Sequence, residues 1–235
     1  MKVGIMQPYF FPYIGYFSLI HYVDKFIFFD TPQYISHGWV NRNRILRQNG
    51  TPGYITVPIQ KASQKTAINE IVIANNIDWR NKIYGQLTVY RRKAPYYEEV
   101  MSFLHAVFDE EYNNLSDFNI KSIKSVCSYL GIKKDFDVFS QMKINVPCIN
   151  EPDEWALYIT KAVGGESYVN PPGGQTFFRR NKYKEQNINL EFLQSNCPVY
   201  IQRIGYFVPG LSIIDVMMFC EKKEIVNMLN DFKIF

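Results

Sequence analysis

Between Val3 and Asn43 the chain alternates apolar runs with polar punctuation, in the order strand, turn, helix, strand, polar loop. The run VGIM is short and apolar. Pro8 and Pro12 then hold the backbone extended, because proline fixes φ and turns the preceding residue away from helical values. Gly15 opens the amphipathic segment YFSLIHYV, and KFIFFD is a second apolar run ending in Asp30. Two buried strands joined through a helix predict the first unit of a parallel α/β sheet. In such sheets ligands lie beyond the carboxyl ends of the strands, where Gln7 and Asp30 fall.

Further along, residues 43–50 read as a short helix or turn. The β-branched runs GYITVPI (53–59) and INEIVIA (68–74) read as strands around the polar KASQKT loop. A helical period over 78–93 aligns Trp79, Ile83, Leu87 and Tyr90 before Ala94-Pro95 breaks it. Helices follow over 97–108 and 115–130, the second ended by Gly131. FDVFS restarts the sheet pattern, and Pro152 opens a helix running to Gly164-Gly165. SYVN is a short strand leading into the PPGG turn, and INLEFL and PVYIQR are further strands. Residues 211–219 form a helix whose Ser212 and Asp215 have capping-box spacing. The pattern predicts an α/β fold with a mainly parallel sheet flanked by helices. Residues 1–235 are expected to make a single domain, with a helical lobe inserted over 78–131.

Composition narrows the class. Hydrophobic residues at 47% and charged residues at 20% describe a folded globular chain, and its 235 residues can bury a full core. A net charge of +4 is too mild to imply nucleic acid, but it suits a pocket for a phosphate-bearing metabolite. The 17 Tyr and 18 Phe are mainly core, though tyrosine also stacks on sugar or base rings. Cys127, Cys148, Cys197 and Cys220 are dispersed, so neither a zinc site nor a disulfide framework is expected, and no metal site is assigned. No apolar run is long enough to span a bilayer, and the N-terminus lacks a signal-peptide pattern, so a cytoplasmic location is expected.

Several residues have side chains suited to chemistry. The turn holding Gln7, Pro12, Gly15 and Tyr16 leads into a helix N-terminus that favours an anion, or it only shapes the chain. Asp30 is read as general base, hydroxyl ligand or metal ligand, or as a cap of the next turn. His37 is the best-placed proton carrier. Asn41, Arg42 and Asn43 offer amides and a guanidinium fork to sugar hydroxyls and pyrophosphate, and Trp39 offers a stacking face. Gly173 and Gly174 provide unobstructed backbone donors, or merely a tight connection. Arg179 beyond them completes a phosphate site or is solvated. Gln7, Asp30, Trp39, Asn41 and Arg42 are expected to line one cleft.

The motifs MQPYFFPYIGYF, the apolar strand ending in Asp30, WVNRNRI, YVNPPGGQTFF and LSIIDVMMF together resemble the WbqC-like proteins, over Gln7 to about Phe219. The resemblance implies a place in O-antigen and other surface-polysaccharide biosynthesis without defining a reaction. On that basis the expected partner is a nucleotide-linked sugar. The expected activity is acyl or aminoacyl transfer forming an amide on an amino sugar, with Asp30 or His37 as base. Asn41 or the PPGG backbone would face the oxyanion. No cofactor is expected to be resident; a coenzyme A or acyl-carrier-protein thioester would be co-substrate. The alternatives are a non-catalytic nucleotide-sugar-binding or assembly protein, and an adenylating or nucleotidyl-transferring enzyme. For the last, the turn is similar to an HxGH region, with Tyr13 and Tyr16 where histidines would stand.

Overall fold

Parallel strands covered on both faces read as unbroken apolar runs, and the first strand is one. β1 (Lys2–Met6) buries Val3, Gly4 and Ile5 at the centre of the sheet in the computed structural model, which describes residues 1–235. The proline-rich turn, expected to be extended, bends at Phe10 and Phe11, with Phe11 at φ +39°, before Tyr13 returns to extended backbone and α1 (Ile14–Tyr22) follows. Lys134 closes its far end by donating to the carbonyls of His21 and Val23, a cation at the negative pole of the helix. β2 (Lys25–Phe28) then pairs parallel with β1, Val3 opposite Lys25, as the opening pattern predicted.

The chain next leaves the sheet. β3 (Arg42–Leu46) and β4 (Pro52–Thr56) form a separate antiparallel hairpin, where a helix or turn was expected over 43–50. The reason is the turn: Asn49 and Gly50 reverse the chain, with Gly50 at φ +81°, a conformation suited to glycine. α2 (Trp79–Leu87), α3 (Tyr97–Phe108) and α4 (Leu115–Tyr129) follow. Asn114 caps α4 by accepting from the amides of Ser116 and Asp117, and Gly131 ends it at φ +72°.

β5 (Asp135–Val138) returns to the sheet beside β2. α5 (Glu154–Ala162), β6 (Ser167–Asn170), α6 (Arg180–Glu185) and β7 (Asn189–Ser195) complete its parallel part. α7 (Ile213–Phe219), α8 (Lys222–Met228) and β8 (Phe232–Ile234) close the chain, β8 pairing antiparallel with β7. The strand order is β5-β2-β1-β6-β7-β8, so this is a mostly parallel six-stranded α/β sheet flanked by helices. Alternation along the strands feeds two layers. Phe26 and Phe28 join the large core with α1, α3 and α4, whereas Val3, Ile5, Ile27, Leu190 and Phe192 face α5 and Tyr183 of α6. The outer strands carry charge: Lys25 pairs with Asp135 and Asp137 on β5, and β8 presents Lys233.

Two expected strands are absent, each for a visible reason. INEIVIA starts as a 3-10 turn (Ile68–Glu70), because Ile68 and Asn69 donate to the carbonyls of Pro32 and Asp30; beyond it only single bridges form. PVYIQR keeps its alternation but inverts it. Val199 and Ile201 point outward, while Tyr200 and Gln202 turn in to the carboxylate of Asp215. That fully buried carboxylate accepts from Tyr90 at 2.6 Å, Tyr200 at 2.5 Å and Gln202 at 2.9 Å. It therefore does not complete the expected capping box. Ser212 alone caps α7, accepting from Ile214 and donating to the carbonyl of Phe11.

Candidate functional site

From β1 the chain crosses to β2 on one side and returns to β6 on the other, so the connections diverge above the carboxyl end of β1. A crevice forms at such a switch point, because the loops leaving the neighbouring strands part there. A cavity of about 1030 Å³ occupies it, lined from β1 by Met6 and Gln7, after β2 by Phe29 and Thr31, and from β6 by Tyr168 and Asn170. Tyr9, Trp155, Phe177 and Phe178 add rings, and Gly173 and Gly174 supply backbone.

Local contacts set each wall. Tyr16 is fully buried and donates to the carbonyl of Gln7 at 2.9 Å, anchoring the end of β1; burial pushes its phenol well above the usual range. Phe139 packs edge to face on both Phe29 and Trp155, and Phe29 and Trp155 meet tilted at 52°, which stands the indole of α5 against the β2 exit. Asn170 accepts from Tyr168 at 2.8 Å and donates to the Pro171 carbonyl, so its amide is oriented before any ligand arrives. Gly174 is required by crowding: a Cβ there would lie 2.3 Å from the Asn170 amide nitrogen and 2.7 Å from the Phe178 ring. Gly173 has open space around it.

Ion pairs hold the two outer walls together. Arg179 makes a two-pronged contact with Asp153, both bonds 2.9 Å, and also meets Glu151. Lys182 bridges Glu151, Asp153 and Glu154. The Lys182 ammonium, then the Asn150 amide, hold the Glu154 carboxyl below its ordinary range. This cluster joins the segment that carries Pro152 and Trp155 to the one that follows Phe177 and Phe178. Arg179, expected at a phosphate, is thus occupied by Asp153.

The five residues expected in one cleft do not share one. Gln7 lines the large cavity. Trp39 lines a neighbouring pocket of about 240 Å³ with Tyr9, Pro12, Tyr13, Asn43, Arg44 and Gly210. Asp30 is 2% exposed and accepts from the amide of Ser140 at 3.0 Å and from its hydroxyl. The remaining residues follow the pleat of β3. Asn41 and Asn43 point inward: Asn41 joins Tyr34 to the Val57 carbonyl, and Asn43 donates to the carbonyls of Phe10 and Phe11. Arg42 and Arg44 point outward and alternate with rings, Arg42 over Tyr54 at 4.1 Å and Arg44 over Trp39 at 5.5 Å. His37 is exposed at φ +64°, two residues beyond Ile35 of the cavity rim. Gly15 packs against the Tyr13 ring, where a Cβ would come within 2.4 Å.

Arg42 also donates to the carbonyls of Gly38 and His37, so its guanidinium secures its own loop. Arg42→Lys is expected to lose the fork and about 1 kcal/mol of stability, lowering the melting temperature by roughly 2–4 °C. Thermal denaturation beside ligand titration checks this; unchanged melting with weakened ligand binding would contradict it.

Tyr9, Trp155, Tyr168, Asn170 and Phe178 were not singled out as site residues. Tyr168, Asn170 and Phe178 lie within YVNPPGGQTFF and were within reach. Trp155 sits in an ordinary helix and carried no signal.

An α/β protein with an aromatic cavity at its switch point is the class these features define. The chain belongs to the WbqC-like protein family, whose model matches residues 7–227. It is 29% identical over 219 residues to "Uncharacterized protein Rv1507c" of Mycobacterium tuberculosis (strain ATCC 25618 / H37Rv), covering 92% of each chain. No solved structure matches. No helix is long and apolar enough to cross a membrane.

Proposed function

We propose that the protein binds a nucleotide-linked amino sugar, its glycosyl ring in the switch-point cavity, as a step in surface-polysaccharide (O-antigen) precursor synthesis. One observation carries the reading. The cavity is walled by rings and neutral amides, with no carboxylate, imidazole, thiol, ammonium or guanidinium among its lining side chains. Aromatic faces stack on the apolar face of a sugar, and fixed amides and backbone groups meet its hydroxyls. Gln7, Thr31, Gln33 and Asn170 supply the polar partners.

On this reading proton transfer comes from the rim, where the exposed His37 lies two residues beyond Ile35 of the cavity lining. The imidazole would take a proton from the sugar ammonium. The amine would then attack a thioester carbonyl, the C–N bond forming as the C–S bond breaks and the thiol leaves with a proton. Coenzyme A or an acyl carrier protein would supply that thioester. A protein that only binds or presents the sugar would use the same cavity without releasing thiol.

Thermal-shift screening with nucleotide sugars tests the binding, since a ligand of the native state raises apparent stability. Trp155→Ala is expected to weaken sugar binding about tenfold or more, on the scale of a lost aromatic contact. No shift with any nucleotide sugar, or full affinity in Trp155→Ala, would overturn the reading. Thiol release from acyl-coenzyme A in the presence of the bound amino sugar, abolished by His37→Ala, decides for transfer over binding alone.

A further inference from the structure

Arg44 lacks the partners a half-buried guanidinium normally has. Its only side-chain hydrogen bond is to the Gly210 carbonyl at 3.0 Å. Its Nε is buried with no acceptor, and no carboxylate pairs with it. An arginine cannot escape by losing its proton, so the charge and the unused donor persist. An orphaned donor of this kind calls for an explanation, since buried polar groups are otherwise satisfied.

The surroundings provide one. Arg44 lines the small pocket with Trp39, Tyr9 and Tyr13, and no acidic side chain lines it. Burial raises the phenols of Tyr9 and Tyr13 above their ordinary range, so both stay protonated and able to donate. Asn43 is fully engaged with Phe10, Phe11 and the Arg44 amide, which fixes the floor. Tyr9 lines this pocket and the large cavity alike, so the two are neighbours across one ring.

We infer that the Arg44 pocket is an anion subsite that takes a phosphate group of the ligand whose ring lies beyond Tyr9, an assignment that rests on the sugar-binding reading. A guanidinium fork matches phosphate oxygens, and the uncharged cavity next door offers them no cation. The two pockets then divide one ligand by chemistry, the ring to the neutral side and the negative charge to the cationic side.

Inorganic pyrophosphate is the probe, titrated calorimetrically into the full chain. Arg44→Gln is expected to weaken it about tenfold or more, the scale of a charge-assisted hydrogen bond, with Arg44→Lys in between. Arg47, Arg91, Arg92 and Lys93 line a separate basic groove of about 600 Å³, so Arg92→Ala is the control and should leave affinity unchanged. Trp39 is 41% exposed, so Trp39→Ala keeps the fold if Arg44→Gln does not; it should weaken pyrophosphate several-fold. Absence of pyrophosphate binding, full affinity in both Arg44→Gln and Trp39→Ala, or loss in Arg92→Ala overturns the subsite. Nucleotide-sugar binding indifferent to Arg44 sinks this inference alone. Arg44-dependent pyrophosphate binding without any nucleotide-sugar binding sinks the sugar reading and leaves the anion site standing.

Discussion

Asp215→Ala is expected to lower the melting temperature by roughly 10 °C, a loss on the order of 4 kcal/mol in a chain of this size. The substitution strands two donors in the core, the hydroxyls of Tyr90 and Tyr200, and removes one acceptor of the Gln202 amide, which keeps the Val208 carbonyl. Each buried donor left alone costs about 1–3 kcal/mol. The damage spreads, because Tyr90 accepts from the Leu46 amide of β3 and Gln202 brackets Val208 through both its amide groups. Asp215→Asn keeps the shape and should cost less. It also exposes a pH dependence. Burial raises the Asp215 pKa above its ordinary 3.8, outweighing the hydrogen bonds from Tyr200, Tyr90 and Gln202 that pull it down. The native state therefore holds the proton more tightly than the unfolded chain. The resulting stability is present below 3.8 and is lost as pH rises through the native value. The advantage of the parent over Asp215→Asn should thus grow as pH is lowered across that window. Paired thermal melts measure it, and a gap that shrinks on acidification would contradict the assignment.

Asn43→Ala should come next in size, at about 3 kcal/mol or roughly 6–12 °C. The Phe10 carbonyl has no other donor, while Phe11 keeps the Ser212 hydroxyl. The Arg44 amide loses its acceptor as well. The proline-rich turn between β1 and α1 would no longer be fastened to β3, and both pockets share residues of that turn. Low stability with ligand affinity preserved in the folded fraction is the expected pattern. A fully stable Asn43→Ala protein that fails to bind would instead place the amide on the ligand.

Much of the scaffold was legible because it depends on local periodicity. Unbroken apolar runs marked β1 and β2, the helical stripes marked α3 and α4, and Gly131 marked an end that needs positive φ. The hairpin was legible only in part. Read with period two, WVNRNR sends its asparagines one way and its arginines the other, and that division separates scaffold from candidate ligand contacts. Read as a polar loop, it merges them. Asp30 was beyond reach, since its partner Ser140 is 110 positions away and the pairing exists only once β5 lies beside β2. The cavity was hidden for the same reason: Gln7, Trp155 and Tyr168 meet only because β6 returns to the far side of β1.

The two outer strands bear on how copies of this protein meet one another. A sheet edge presents unpaired amides and carbonyls that another chain can extend. Here both edges are short, and each carries charge: the Asp135 and Asp137 carboxylates on one, the Lys233 ammonium on the other. Pairing of like edges would set carboxylate beside carboxylate or ammonium beside ammonium, which disfavours two copies joining through the same edge.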